Sequence, residues 1–389
     1  MFLAKFLSHP LWLVGFRPFF ALAMLSGMAM PLLWALMFSR LIAPPASELS
    51  PVQWHAHEMF FGFGWALLGG FLLTSTKNWV QVRGYHGGWL VFLAGAWLFE
   101  RAGMWLGGGW PAALFLLSNY LFLAPLIAMI LWTLIRHRRT DTYADNLFFI
   151  LALPLFLPAK FLMLSPEHAQ LGWSLAIGLF RLAFLIMLER TLSQFMKGVF
   201  QAVILRHPAL DMAIKGLALV LVAERLLPPL LAAGLSLLLA FLMTVRFLYW
   251  KPRLAMRRLD IGIMHLGYLG IVLQLAIQAA EAMAFSGWVG APSVHAFTFG
   301  VIGLIAPAMI VRISNGHTGR KVVFEAADKL ALWLMLLAFV LRLVAPQALP
   351  ALYEHFIHLA AACWFACFAL LAWRYLPFLF AARIDGKEH

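Results

Sequence analysis

The chain has 389 residues, 63% of them hydrophobic and only 12% charged. A soluble domain of this size carries roughly twice that charged fraction, so a soluble globular protein is excluded. The formal net charge of +13 does not point to nucleic acid, because the basic residues fall at the ends of apolar runs, where they set orientation in a membrane.

Apolar runs bounded by charge, Pro or Gly predict spans at 17–39, 54–76, 87–107, 110–135, 145–164, 171–190, 209–227, 229–250, 260–284, 293–312, 326–345 and 351–376. Pro228-Pro229 divides the seventh from the eighth. Most of the 29 basic residues fall between spans on the side of the N-terminus. That bias predicts an all-α bundle with about twelve spans and both termini in the cytoplasm. Spans and short loops use up the chain, so residues 1–389 are expected to form a single transmembrane domain with no separate soluble domain. No cleaved signal peptide, internal repeat or long linker is visible. Cys363 and Cys367, inside one apolar run, imply no disulfide framework and read as packing residues.

Polar residues inside the spans are the functional signal, since ionisable groups in a membrane are costly and face the bundle interior. In the predicted orientation His55, His57 and Glu58 open the second span from the outer side. His295 opens the tenth and His355 and His358 the twelfth, while Glu100, Arg101 and Glu281 approach the outer side in the third and ninth. Histidines gathered at one depth on several helices suit a haem or a copper ion held between helices. His55 and His57 point about 200° apart on a regular helix, whereas His355 and His358 share a face. His265 lies deeper and nearer the inner side, and His317 falls in the inner loop after the tenth span. His57 and His295 are the first candidates for metal or haem ligands. His55, His265 and His358 follow for the cofactor, with His355 and His317 for the metal. Glu58, Glu100, Arg101 and Glu281 are candidates to carry protons or support the ligands. Without a Cys-x-x-Cys-His site any haem is held noncovalently, as a b-type group. No nucleotide loop, zinc spacing or nucleophilic triad supports a hydrolase or kinase.

Several stretches carry a family resemblance: Gly15-Phe-Arg-Pro-Phe-Phe20, Trp54-His-Ala-His-Glu-Met-Phe-Phe-Gly-Phe63, Gly70-Phe-Leu-Leu-Thr74 with Asn78-Trp79, and His265-Leu-Gly-Tyr268. To these are added His295-Ala-Phe-Thr through Gly316-His-Thr-Gly-Arg320, and Arg374-Tyr-Leu-Pro with Arg383-Ile-Asp-Gly386. Together they resemble the NnrS family, bacterial membrane proteins associated with the response to nitric oxide. The resemblance implies about twelve spans in the bacterial inner membrane, haem and copper, and a role in relieving nitrosative stress, often near denitrification. Its expected ligand is nitric oxide or a nitrosyl species. The stretch from Glu189 to Met196 departs from the family wording. Two other readings remain open from the residues: a proton-coupled permease for a metal or nitrosyl species, and a quinol-linked haem oxidoreductase.

Overall fold

A computed structural model describes residues 2–45, 49–285 and 287–387. Helix covers 81% of the protein, and no strand forms among the described residues. Among the described residues ten helices are long and apolar enough to cross a membrane: α1 (Phe16–Phe38), α2 (Pro51–Trp79), α4 (Ala112–Arg136), α5 (Ala144–Leu164), α6 (Ala169–Phe200), α8 (Pro229–Tyr249), α9 (Leu259–Ala282), α10 (Pro292–Gly316), α11 (Ala326–Ala348) and α12 (Pro350–Phe380). Between them lie α3 (Gly88–Leu106) and α7 (Pro208–Val220), the latter continued by a 3-10 turn to Leu226. These two fall where spans were expected. They drop out of the apolar count because α3 carries Glu100 and Arg101, and the α7 segment carries Asp211, Lys215, Glu224 and Arg225.

Most ends lie within a few residues of the predicted ones. The main difference is α6, which continues to Phe200 instead of stopping at the Glu189-Arg190 pair. Those charges are buried in the bundle, so they do not end the helix. The molecule is turned inside out relative to a soluble protein. Large apolar side chains such as Trp132, Phe241, Trp333 and Trp373 are exposed, while Arg17, Glu58, Glu100, Lys160, Arg181 and Glu189 are fully buried.

The helices form two compact units: residues 1–173, 310–323 and 368–389, and residues 174–309 and 324–367. In unit 1, the start of α1 meets the end of α12 through Arg17 Nη1, which donates to the carbonyls of Leu379 (2.9 Å) and Ala381 (2.6 Å). The end of α10 joins them, with Ile384 N donating to Thr318 O at 3.1 Å. The first helix therefore begins at the same end of this unit at which the last one finishes. In unit 2, α9 and α10 cross backbone to backbone. A Cβ on Gly270 would run into the Gly300 carbonyl, and small residues are what allow such a close approach.

Candidate functional site

The start of α2 is fixed by a capping box: Ser50 accepts from Gln53 N, Gln53 Oε1 accepts from Ser50 N, and Pro51 occupies the first turn. The α-helix then widens into a π segment over Glu58–Gly64. Such insertions free carbonyls and re-aim side chains, and they cluster at functional sites. Here the Gly62 carbonyl, which also accepts from Trp65 N, accepts from Trp97 Nε1 of α3 at 3.0 Å. Gly62 is required, because a Cβ there would overlap Arg101 Nη1.

Around this widened turn, four helices bring together a buried ionic cluster. His57 and Glu58 come from α2, Glu100 and Arg101 from α3, Asn119 from α4 and Lys160 from α5. His57, Glu58, Glu100, Asn119 and Lys160 are fully buried, and Arg101 nearly so. Arg101 lies 2.6 Å from Glu100 Oε1 and 3.3 Å from Glu58 Oε2. The Lys160 ammonium donates to the same Glu100 oxygen and to the Asn119 carbonyl. His57 lies between the acids, with Nδ1 3.4 Å from Glu58 and Nε2 3.5 Å from Glu100. With His57 neutral, the two carboxylates balance the two cations, as the cost of buried charge demands.

The balance is electrostatic but not complete in hydrogen bonds. His57 Nε2, Glu58 Oε2, Glu100 Oε2, Asn119 Oδ1 and the three guanidinium nitrogens of Arg101 have no well-angled hydrogen-bond partner among the described residues. That many unsatisfied polar atoms in one buried spot is costly and marks a site rather than a structural brace.

Four sequence candidates thus meet here: His57, Glu58, Glu100 and Arg101. Lys160 was not among the candidates, although an isolated lysine within the apolar run of α5 was a legible sign. His55 lies outside the cluster, stacked on Trp34 at 4.4 Å.

Unit 2 holds His295, again early in a proline-entered helix that widens into a π segment, Thr298–Gly303. His295 Nδ1 is 3.3 Å from Thr298 Oγ1, and its Nε2 accepts from Arg342 of α11 at 2.5 Å. Arg342 sits in a third π segment, Val340–Val344, and also donates to Tyr353 Oη at 3.3 Å. Glu281 is exposed and accepts from Ser293. His355 is exposed and His358 half-buried. His265 is buried with both ring nitrogens against backbone carbonyls, Ile261 at 3.2 Å and Trp250 at 3.3 Å. That pairing makes it a structural tie between α9 and the end of α8. His317, in unit 1, sits at the opposite end of α2 from the cluster, 5.5 Å from the Phe16 ring.

Two further networks in unit 2 were not anticipated as sites. Arg181 of α6 donates to Gln274 (3.0 Å), Gln278 (3.2 Å) and the Leu221 carbonyl (2.9 Å), and pairs with Glu224. Eight residues along, about 12 Å at the helical rise, Glu189 pairs with Lys215, Arg246 and Arg206. Asp211 and Tyr268 complete that second group through Arg246.

No three His, Cys, Asp or Glu among the described residues are grouped to hold a metal ion. At the unit 1 cluster, Lys160 and Arg101 already take the position a cation would occupy between the carboxylates.

The fold and the buried ionisable cluster define a polytopic α-helical membrane protein with a polar site enclosed between its helices. The family model described as NnrS protein matches residues 10–383, nearly the whole chain, so the chain belongs to the NnrS family, membrane proteins of the nitric oxide response. A comparison with curated proteins gave no match.

Proposed function

We propose that the protein binds a b-type haem through His57 and acts on nitric oxide or a nitrosyl species in the bacterial inner membrane. The observation that supports this reading is the unsatisfied polar cluster around the π segment of α2. A haem-iron ligand would need an imidazole nitrogen with its lone pair unused, and His57 Nε2 has no well-angled hydrogen-bond partner among the described residues. Bound haem iron supplies a position that takes nitric oxide. The chain's own part is to orient His57 between two carboxylates and to keep water away by burial. Copper, also implied by the family resemblance, has no group of three His, Cys, Asp or Glu donors to hold it among the described residues.

The proposal extends to topology. The segments Gly88–Leu106 and Pro208 to Leu226 are 19 residues each, about 28 Å of helix and close to the apolar thickness of a bilayer. Counting them gives twelve spans, with the basic side and both termini in the cytoplasm.

The test is the visible spectrum of purified protein, oxidised and reduced, with iron analysis. A b-type signal is expected, lost in His57→Ala and kept in the exposed-site control His355→Ala. Colourless, iron-free protein, or a signal indifferent to His57→Ala, overturns the assignment.

A proton-coupled permease is the second reading. It draws on the two buried networks that α6 carries in unit 2, since intramembrane charge marks ion and proton paths. Flux into proteoliposomes by haem-free protein, abolished in Glu189→Gln, is the result that would favour it.

A further inference from the structure

The end of unit 1 away from the cluster gathers cations instead of balancing them. Four distant stretches meet there: the start of α1, the end of α2, the turn after α10 and the segment after α12. They bring Lys77, Arg383 and Arg17 close enough to act on His317 through their charge, and Arg320 close enough to act on Arg17. Arg17 is fully buried and held by the two α12 carbonyls. Arg383 pairs with Asp385 through two contacts, 2.8 and 2.6 Å, and donates to the His317 carbonyl at 3.3 Å. Asp385 is thereby committed to Arg383.

Lys77 and Arg320 have no acid partner among the described residues. Arg320 lies over the Phe378 ring at 3.9 Å and reaches only the Thr318 carbonyl. The Lys77 stem packs against Gly84, and its ammonium makes no hydrogen bond or ion pair to a described residue. Arg83 and Arg383 both act on Lys77 through their charge. His317 registers the same field. Burial first, then Lys77, Arg383 and Arg17, push its pKa down to about 4.

The arrangement is built into the backbone. Gly319 has φ +81°, a conformation open to glycine, and a Cβ there would lie 2.8 Å from Asp385 Cγ. The Ile384–Thr318 hydrogen bond pins the two segments together. Cations held this way at a helix-end surface suit an anion with several oxygens, which a lysine point charge and an arginine fork engage from different directions. Basic pockets at the ends of membrane helices are where phosphate headgroups dock.

We propose that this end of unit 1 binds a phosphate group, gripped by Lys77 and Arg320 with Arg83 at its edge. The group belongs either to an anionic lipid or to free phosphate.

The experiment is thermal stability and native mass spectrometry of the full-length protein in lipid-stripped detergent. Phosphatidylglycerol, phosphatidylcholine and inorganic phosphate are titrated separately. Phosphatidylglycerol is expected to raise the melting temperature and stay bound, with phosphatidylcholine inert. Lys77→Gln and Arg320→Gln should each weaken binding about fivefold, the effect of one interfacial cation. Lys77→Arg should restore it, and Arg253→Gln, an exposed basic site in unit 2, should leave it unchanged. A response to inorganic phosphate that phosphatidylglycerol does not exceed assigns the site to free phosphate. No response to either, or equal responses in wild type and both glutamine variants, overturns the proposal. Should Lys77→Gln fail to fold, Arg320→Gln alone carries the test.

Discussion

The α2–α3 pair of unit 1 and the α10–α11 pair of unit 2 solve one problem in two ways. Each begins with a proline-entered helix, places a histidine within its first two turns and follows it with a π segment. Each receives an arginine from the next helix, Arg101 or Arg342. In unit 1 the arginine meets two carboxylates and a lysine shares one of them. In unit 2 it donates to a histidine nitrogen and a tyrosine hydroxyl. The π geometry thus creates room for a guanidinium, and the neighbours decide how its charge is met. The unit 1 site is coupled, so removing one member strands the others. The unit 2 arginine is held by hydrogen bonds to a ring nitrogen and a hydroxyl.

That contrast sets the size of the mutational effects. Glu100→Gln leaves Arg101 and Lys160 facing Glu58 alone. Breaking a buried ion pair from one side costs about 3–5 kcal/mol, so the variant should show the largest fall in melting temperature and in yield of monodisperse protein. A cost near that of an ordinary hydrogen bond would mean the cluster is hydrated and uncoupled. Next comes Gly62→Ala, which must displace the Arg101 guanidinium. Overpacking of this kind costs about 1–3 kcal/mol. Its counterpart Gly303→Ala meets Trp364 and Met335 at 3.0 and 3.1 Å, where the methionine can give way, so its loss of melting temperature should be smaller. Equal losses would break the comparison.

How much of this was legible follows from what the sequence encodes locally. Apolar runs and their charged borders placed the spans, because a membrane imposes length and composition directly. His57, Glu58, Glu100 and Arg101 stood out because charge inside a span needs a reason. Lys160 carried the same sign without being taken up, and Asn119 carried none, since pairing across helices is a tertiary fact. The π segments were invisible as well: a regular helix puts His55 and His57 on different faces, and nothing local announces the widened turn that follows them. His265 shows the opposite failure. Its depth suggested a ligand, yet its ring lies between the Ile261 and Trp250 carbonyls, with one N–H to give, a placement that no sequence spacing reveals. The likeness between α2–α3 and α10–α11 also escaped as a repeat, because backbone geometry carries it more than side-chain identity does.

Tyr353→Phe tests the unit 2 half of the comparison. It removes one hydroxyl from Arg342 and leaves His295 in place, so the expected loss is about 1 kcal/mol. Measured beside Glu100→Gln, it should give the smaller shift by a factor of several. A loss as large as that of Glu100→Gln would mean the unit 2 arginine is as tightly coupled as its unit 1 counterpart.

The smallest effect separates the two ends of unit 1, and it is read from pH. In the folded protein His317 takes a proton only near pH 4, because burial and then Lys77, Arg383 and Arg17 oppose its charge. An unfolded histidine takes one near 6.5. Between those values the unfolded state binds more protons, so this contribution to stability is complete above pH 6.5 and is lost as the pH falls toward 4. At pH 6 the loss amounts to less than about 1 kcal/mol. Melting temperature against pH should therefore fall less steeply in His317→Gln than in wild type across that window. Lys77→Gln should narrow the window from its acidic side, because removing one repelling cation raises the folded pKa of His317. Identical slopes in all three proteins would show that His317 does not feel the cationic end, and would leave the balanced cluster at the other end of α2 with no opposite to be compared against.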